Sequence, residues 1–312
     1  MDHKIYISDP GIYKFGNTFY FYKNKKEVPL NVSQRLSKIV VPPAWKNVWY
    51  ASSPNCHIQV RGIDGGGKRQ YILSQQWVMN SKYEKYNRMK SFIKDLHAFK
   101  RKIKLKTPII LNKDSLIHLL FNLLIDLHIR VGNEIYAEQH ETYGLTTLRQ
   151  KHLKKENNSF SIQFVGKSNI EHKVIVPNEY NPWFKALVIE NSRNKPLFYY
   201  RENTKYKTID SEQLNNYLKR FMGKEYTCKD FRTYSANMLF IKAFLKNCKR
   251  VKGKPRKIVL GSIDESATQL GHTRSISRKS YISERLLDYC VESFDSACLL
   301  SPSELLTKIW SD

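Results

Sequence analysis

Breaking a phosphodiester without a metal ion or a nucleotide takes a nucleophile, cations on the non-bridging oxygens as charge builds, and a proton donor for the leaving oxygen. This chain carries residues of the right types at Arg130, Lys167, Arg232, His272 and Tyr281. Planar, permanently charged arginines are the best grip for phosphoryl oxygens. Taken singly, each candidate also has an ordinary reading. Arg130 suits the end of a helix, where the dipole favours a cation, and Lys167 suits a solvated turn. Arg232 reads as a helix-surface arginine, His272 as a capping residue after Leu270-Gly271, and Tyr281 as one of 19 tyrosines. Order and spacing, more than residue type, make them a set.

The bulk charge fits an anionic partner. Lysine and arginine number 53 against 28 acidic residues, so the 312-residue chain carries +25, spread along its length and not gathered in a tail. Nucleic acid is the expected partner; a membrane surface is not, since neither end offers an amphipathic helix or a lipidation signal. No apolar run reaches about 18 residues, and Met1-Asp-His-Lys4 lacks the core of a secretory signal, so the chain is expected to stay inside a cell or virus particle. Five cysteines, Cys56, Cys228, Cys248, Cys290 and Cys298, are widely spaced without a Cys-x-x-Cys and read as reduced and mostly buried. His140-Glu141 begins like a zinc helix motif, but Gly144 stands where the second histidine belongs, so no metal is indicated. Gly62 to Lys68 nearly spells a phosphate-binding loop. Arg69 then replaces the serine or threonine that magnesium needs, and the glycines read instead as a flexible hairpin turn that brings Lys68 and Arg69 to a DNA backbone.

These residues need elements to hold them. The first eighty residues alternate short apolar and polar stretches with turn signals, as in Ile5-Tyr-Ile7, Phe19-Tyr-Phe-Tyr22, Val48-Trp-Tyr50, His57-Ile-Gln-Val60 and Gln70-Tyr-Ile-Leu73, which predicts strands. A polar, lysine-laden stretch, Asn80 to Arg88, follows, and longer helical periods begin after it. The chain is therefore expected to be α+β, with a β-rich domain over 1–82 and a larger, mainly helical one over 83–312. Ser115 to Ile129 is apolar on nearly every side, a buried helix that Arg130-Val-Gly132 should end. Ser159 to Val165 and Ile170 to Val176 alternate with period two about Gly166-Lys-Ser-Asn169, a β-hairpin with Lys167 at its tip. Helices are expected over Ser211–Met222, Lys229 to about Asn247, Glu265–Leu270 and Ser277–Glu292, and one starting at Ser301-Pro-Ser-Glu304.

In this order, Arg130, Lys167, Arg232, His272 and Tyr281 resemble the catalytic set of the type IB DNA topoisomerases of the poxvirus and giant-virus kind, also found in bacteria. The surrounding patterns resemble that family too: Ile129-Arg-Val-Gly132 with Gly144-Leu-Thr-Thr-Leu148, Phe164-Val-Gly-Lys167, Lys229-Asp-Phe-Arg-Thr-Tyr234 with Asn237, and Leu270-Gly-His272 nine residues before Tyr281. Val41-Pro-Pro-Ala-Trp45 and Gly67-Lys-Arg-Gln-Tyr71 extend the likeness into the first domain.

The resemblance implies the shared fold of tyrosine recombinases and type IB topoisomerases, a DNA-clamping N-terminal domain, and relaxation of supercoils by a monomer on double-stranded DNA. No cofactor, ATP or metal is implied. Tyr281 would form a 3′-phosphotyrosyl link, Arg130, Arg232 and His272 would contact the non-bridging oxygens, and Lys167 would protonate the leaving 5′ oxygen. Lys68, Arg69, Gln70, Tyr71, Tyr136, Lys229 and Asn237 would contact DNA. If the source is viral, virion or host cytoplasm is the expected place. Leu73, Asn133 and Ser168 depart from the family pattern, which argues against a strict poxvirus-like cleavage sequence but not against the chemistry. Two alternatives differ in kind. A tyrosine recombinase usually carries His-x-x-Arg where this chain has Lys229-Asp-Phe-Arg232, and begins with helices. A non-catalytic basic DNA-binding protein would have no need for all five residues.

Overall fold

The computed structural model describes residues 9–106, 109–157, 159–189, 192–223, 226–250 and 253–310; the expected strand at Ile5-Tyr-Ile7 lies outside them. The chain divides into two units, residues 1–85 and 86–312.

In the first unit, β1 (Ile12–Phe15), β2 (Thr18–Phe21), helix α1 (Leu30–Ser37), β3 (Lys46–Tyr50), β4 (Ile58–Ile63) and β5 (Arg69–Leu73) follow one another. The strands form one antiparallel sheet in the order β2-β1-β3-β4-β5. Ile12, Phe19, Leu36, Tyr50 and Val60 bury one face of it. Helix α1, which strand-like alternation did not foresee, is tied down by Arg35, whose guanidinium donates to Gln59 Oε1 and the Ala51 carbonyl, each at 2.7 Å. The β4–β5 turn is organised, contrary to the expected flexibility. Asp64 accepts from the backbone N–H of Gly66 (3.0 Å) and Lys68 (2.9 Å) and from Gln70 Nε2 (2.7 Å). Those bonds, led by that from Lys68, hold its carboxyl below the usual range.

Helix α2 (Gln75–Lys102) carries the division within it, and the polar stretch Asn80 to Arg88 is helical. Only Met89, Phe92, Leu96 and Phe99 of this helix are buried, a single stripe at helical spacing. The second unit continues with α3 (Lys113–Leu127), α4 (Glu134–His140), an antiparallel sheet of β6 (Leu153–Glu156), β7 (Ser159–Gly166) and β8 (Ile170–Ile175), and α5 (Asn181–Leu187). A small hairpin, β9 (Tyr200–Glu202) and β10 (Lys205–Lys207), leads into α6 (Ser211–Met222), α7 (Cys228–Arg250), α8 (Pro255–Gln269), α9 (Arg274–Ser280), α10 (Glu284–Glu292), α11 (Phe294–Leu299) and α12 (Pro302–Trp310).

Its core is one apolar cluster. At the centre Phe92 packs edge-on against Phe231 and Phe99 against Phe121, each pair with centroids 5.0 Å apart. Helix α3 is capped by Asn112, whose side chain accepts from Ser115 N while Ser115 Oγ accepts in return. It stops at Leu127, with His128 in the left-handed region at φ 54°. Arg130 therefore follows the helix in irregular chain and does not end it. The helix expected over Ser277–Glu292 is likewise two, α9 and α10, and Tyr281 sits at the break between them.

Candidate active site

Arg130 is fixed by its backbone. His128 turns the chain out of α3 and its Nδ1 lies 2.9 Å from Ser235 Oγ on α7. The Arg130 carbonyl then accepts from Leu145 N, and the Val131 carbonyl from Thr146 N, both at 2.7 Å. Gly132 and Gly144 cross here with no room to spare, since a Cβ on Gly144 would lie 2.5 Å from Gly132 N. That crossing explains Gly132, which does not serve as a helix stop. Lys167 starts the turn between β7 and β8, where Ser168 and Asn169 both have positive φ and reverse the chain. Its side chain is exposed, as expected of a hairpin tip.

Arg232 follows Phe231 on α7; the phenylalanine enters the core and the arginine faces the site. Its fork makes four hydrogen bonds. Nη1 donates to the His128 carbonyl at 2.6 Å, Nη2 to the Leu270 carbonyl, and Nε (3.1 Å) and Nη2 (2.9 Å) to His272 Nε2. Tyr281 lines the same cavity as Arg232, and the two attract each other electrostatically. His272 stacks on the Tyr281 ring, centroids 4.5 Å apart. Because its Nε2 accepts, the imidazole proton belongs on Nδ1, which faces Ser277 Oγ at 3.3 Å.

Arg130, Lys167, Lys229, Arg232 and Tyr281 line one cavity of about 440 Å³, and no carboxylate is among its lining residues. His272 stands behind Arg232 instead of lining it. Burial, and then Arg130, push the Arg232 guanidinium below its ordinary pKa, and burial does the same to Arg130. His272 is pushed down to about 3 by burial first, then by Arg232 and Arg130. A buried guanidinium, a half-buried one and a histidine kept neutral beside them suit an anion, and a phosphodiester has the right charge and oxygen geometry.

Of the expected DNA contacts, Lys68, Arg69 and Tyr71 are exposed on β5 and its turn, while Gln70 is half-buried with its amide nitrogen held by Asp64. Tyr136 is exposed on α4 and Lys229 on α7. Asn237 is a correction. It is 1 % exposed, so it cannot reach DNA. Its Nδ2 donates to the Tyr281 carbonyl at 3.1 Å and its Oδ1 accepts from Ser283 N at 2.9 Å, which fastens the break that presents Tyr281. The sequence reading also missed His128 and His172. His172 shares a strand face with Ile170 and Val174, between exposed Glu171, Lys173 and Ile175, and that alternation was the available signal.

A tyrosine sharing one cavity with two arginines and a lysine makes a site suited to phosphodiester transfer. Residues 74–292 match the family described as eukaryotic DNA topoisomerase I, catalytic core, and residues 19–64 that described as bacterial DNA topoisomerase IB, N-terminal domain. The chain is 35 % identical over 302 residues to DNA topoisomerase 1B of Acanthamoeba polyphaga mimivirus, covering 92 % of this chain and 88 % of that one. It is 27 % identical over 232 residues to DNA topoisomerase 1B of Vaccinia virus (strain Copenhagen), covering 73 % and 70 %. The chain belongs to the type IB DNA topoisomerases. Among solved structures, the XerH site-specific recombinase bound to palindromic difH substrate in a post-cleavage complex is 17 % identical with a TM-score of 0.38, covering 75 % of this chain and 59 % of that one. So distant a likeness gives the recombinase alternative no support.

Proposed function

We propose that this chain relaxes supercoiled double-stranded DNA as a monomer, cutting and resealing one strand through Tyr281 without ATP or a metal ion. The single observation that carries the reading is that Tyr281, Arg130, Arg232 and Lys167 line one cavity. The phenolic oxygen attacks the scissile phosphorus and its proton passes to water. The bond to the 5′ oxygen breaks, and that oxygen takes a proton from Lys167, leaving a 3′-phosphotyrosyl link and a 5′-hydroxyl.

Arg130 and Arg232 hold the non-bridging oxygens as charge develops. Arg232 trades its bonds to His272 for bonds to phosphate, which frees His272 to carry its proton on Nε2 instead of Nδ1 and to donate it to the same oxygens. Lys68, Arg69, Gln70, Tyr71, Tyr136 and Lys229 contact the duplex around the cut. Religation reverses the attack, and the bond energy stays in the covalent link. The viral relatives support work inside an infected cell or a virion. Supercoiled plasmid relaxed in EDTA without ATP tests the reading. Wild-type protein relaxes it and Tyr281→Phe, which lacks only the nucleophilic oxygen, does not; a need for magnesium, or activity in Tyr281→Phe, overturns it.

A further inference from the structure

Lys167 can act only if the hairpin tip stands at a fixed place beside the arginines, and one side chain outside the catalytic set occupies the gap that decides this. His172 pairs across β7–β8 with Phe164, and the two rings stack with centroids 4.9 Å apart and planes 11° from parallel. A Cβ added to Gly166 would lie 2.8 Å from His172 Cδ2 and Nε2, and one added to Gly271 would lie 2.4 Å from Cε1. The imidazole thus fills the space between the residue before Lys167 and the residue before His272. Gly166 has φ −98°, open to any residue, so its missing side chain serves the ring and not the backbone. His172 itself borders a groove with Tyr143 and Gln163 and does not line the cavity of Tyr281, although Arg130 and Arg232 are near enough for their charges to act on it. It therefore acts through its neighbours.

We propose that His172 is a positioning residue: its ring docks the Lys167 hairpin on the Gly271-His272 turn and so sets where the Lys167 ammonium stands relative to the scissile phosphate. The proposal rests on the reading of Lys167 as the proton donor. Shape carries the contact, since no described residue hydrogen-bonds the His172 ring nitrogens. A ring of similar size on the same stack should serve.

The test is single-turnover cleavage of a duplex at a position first mapped with wild-type protein, carrying either the ordinary phosphodiester or a 5′-bridging phosphorothiolate, whose sulfur leaves without a proton. His172→Ala should cleave the ordinary substrate about 10- to 100-fold more slowly, the scale of an ångström-sized misplacement, and the phosphorothiolate at close to the wild-type rate. His172→Phe should stay near wild type on both. Gly166→Ala pushes the ring from the other side without backbone strain and should copy His172→Ala, and in a His172→Ala background it should add nothing. Should His172→Ala not fold, Gly166→Ala carries the test alone. Equal slowing on both substrates, or a His172→Phe as slow as His172→Ala, overturns the proposal. Lys167→Ala run alongside separates the two ideas: a rescued Lys167→Ala beside an unrescued His172→Ala sinks the proposal alone, whereas an unrescued Lys167→Ala sinks the acid role and the proposal with it.

Discussion

Replacing Asn237 by alanine should injure the enzyme through Tyr281 and not through its grip on DNA. The amide is 1 % exposed, and it makes three hydrogen bonds: to the Thr233 carbonyl (2.8 Å), to the Tyr281 carbonyl (3.1 Å) and from Ser283 N (2.9 Å). At roughly 1 kcal/mol net for each, the loss is about 3 kcal/mol, and a half-buried Ser283 N–H without a partner can add to it. For a unit of this size that lowers the melting midpoint by roughly 6–12 °C. With the break between α9 and α10 loosened, the phenolic oxygen leaves its place beside Arg232, and an ångström of displacement costs about 10²-fold. Cleavage and religation use the same oxygen, so both should slow together. Asn237→Asp keeps the acceptor for Ser283 N but sets an oxygen against two carbonyls, and should be worse than alanine in stability. Thermal melts, single-turnover cleavage and religation, and equilibrium binding to a duplex decide the matter. Wild-type melting and cleavage with weakened DNA binding would refute the buried-clamp account and restore Asn237 as a DNA contact.

Other substitutions and conditions follow the same reasoning. Arg232→Lys cannot reproduce a fork that reaches the His128 and Leu270 carbonyls and His272, so single-turnover cleavage should fall by about 10² or more; a loss under about threefold would contradict this. Gly144→Ala places a Cβ 2.6 Å from the Arg130 carbonyl, so Arg130 should shift and both cleavage and religation slow, with duplex affinity little changed. His128 and His152 are each held down to about 4, and His272 to about 3, by burial first. Unfolded histidines near ~6.5 take up protons that these refuse, so this stability is fully present above ~6.5 and is lost as pH falls toward the folded values. The urea midpoint should therefore drop between pH 7 and 5, above the range where most carboxylates titrate, and an unchanged midpoint would count against it. DNA affinity should fall steeply with salt: roughly 10³- to 10⁵-fold between 50 and 200 mM if about six to ten phosphates are neutralised.

Much of the fold was legible because its signals are local. Period-two alternation gave the hairpin around Lys167, now β7 and β8, and the strands of the first unit. Ser301-Pro-Ser-Glu304 gave the start of α12, where Ser301 N donates to Glu304 and Glu304 N to Ser301 Oγ. Misreadings fell where tertiary contacts override local pattern. The outer face of α2 is so polar that its helical start at Gln75 went unread, since only one stripe of it meets the core, although the boundary expected near residue 82 lies close to the division at 85. Helix α3 stops at a left-handed His128 held by Ser235, and nothing near position 128 in the sequence announces that partner.

The site divides along the same line. The five candidates could be chosen by residue type and order. That Arg232 shares a cavity with Tyr281, that His272 stands behind it, and that Asn237 fastens the chain at Tyr281 depend on residues 40 and more positions apart in several cases. Composition and spacing hold no record of such pairings, which the packing of α7 against α8 and its neighbours creates.

The central claim is that Tyr281 carries the broken strand. Denaturing the protein during its reaction with a labelled duplex, digesting the trapped adduct and sequencing the modified peptide by mass spectrometry reads this directly. The account predicts nucleotide on the peptide containing Tyr281, joined through a 3′ phosphate, with a free 5′-hydroxyl on the other strand end and no adduct in Tyr281→Phe. An adduct on another residue, or one joined through a 5′ phosphate, would contradict it.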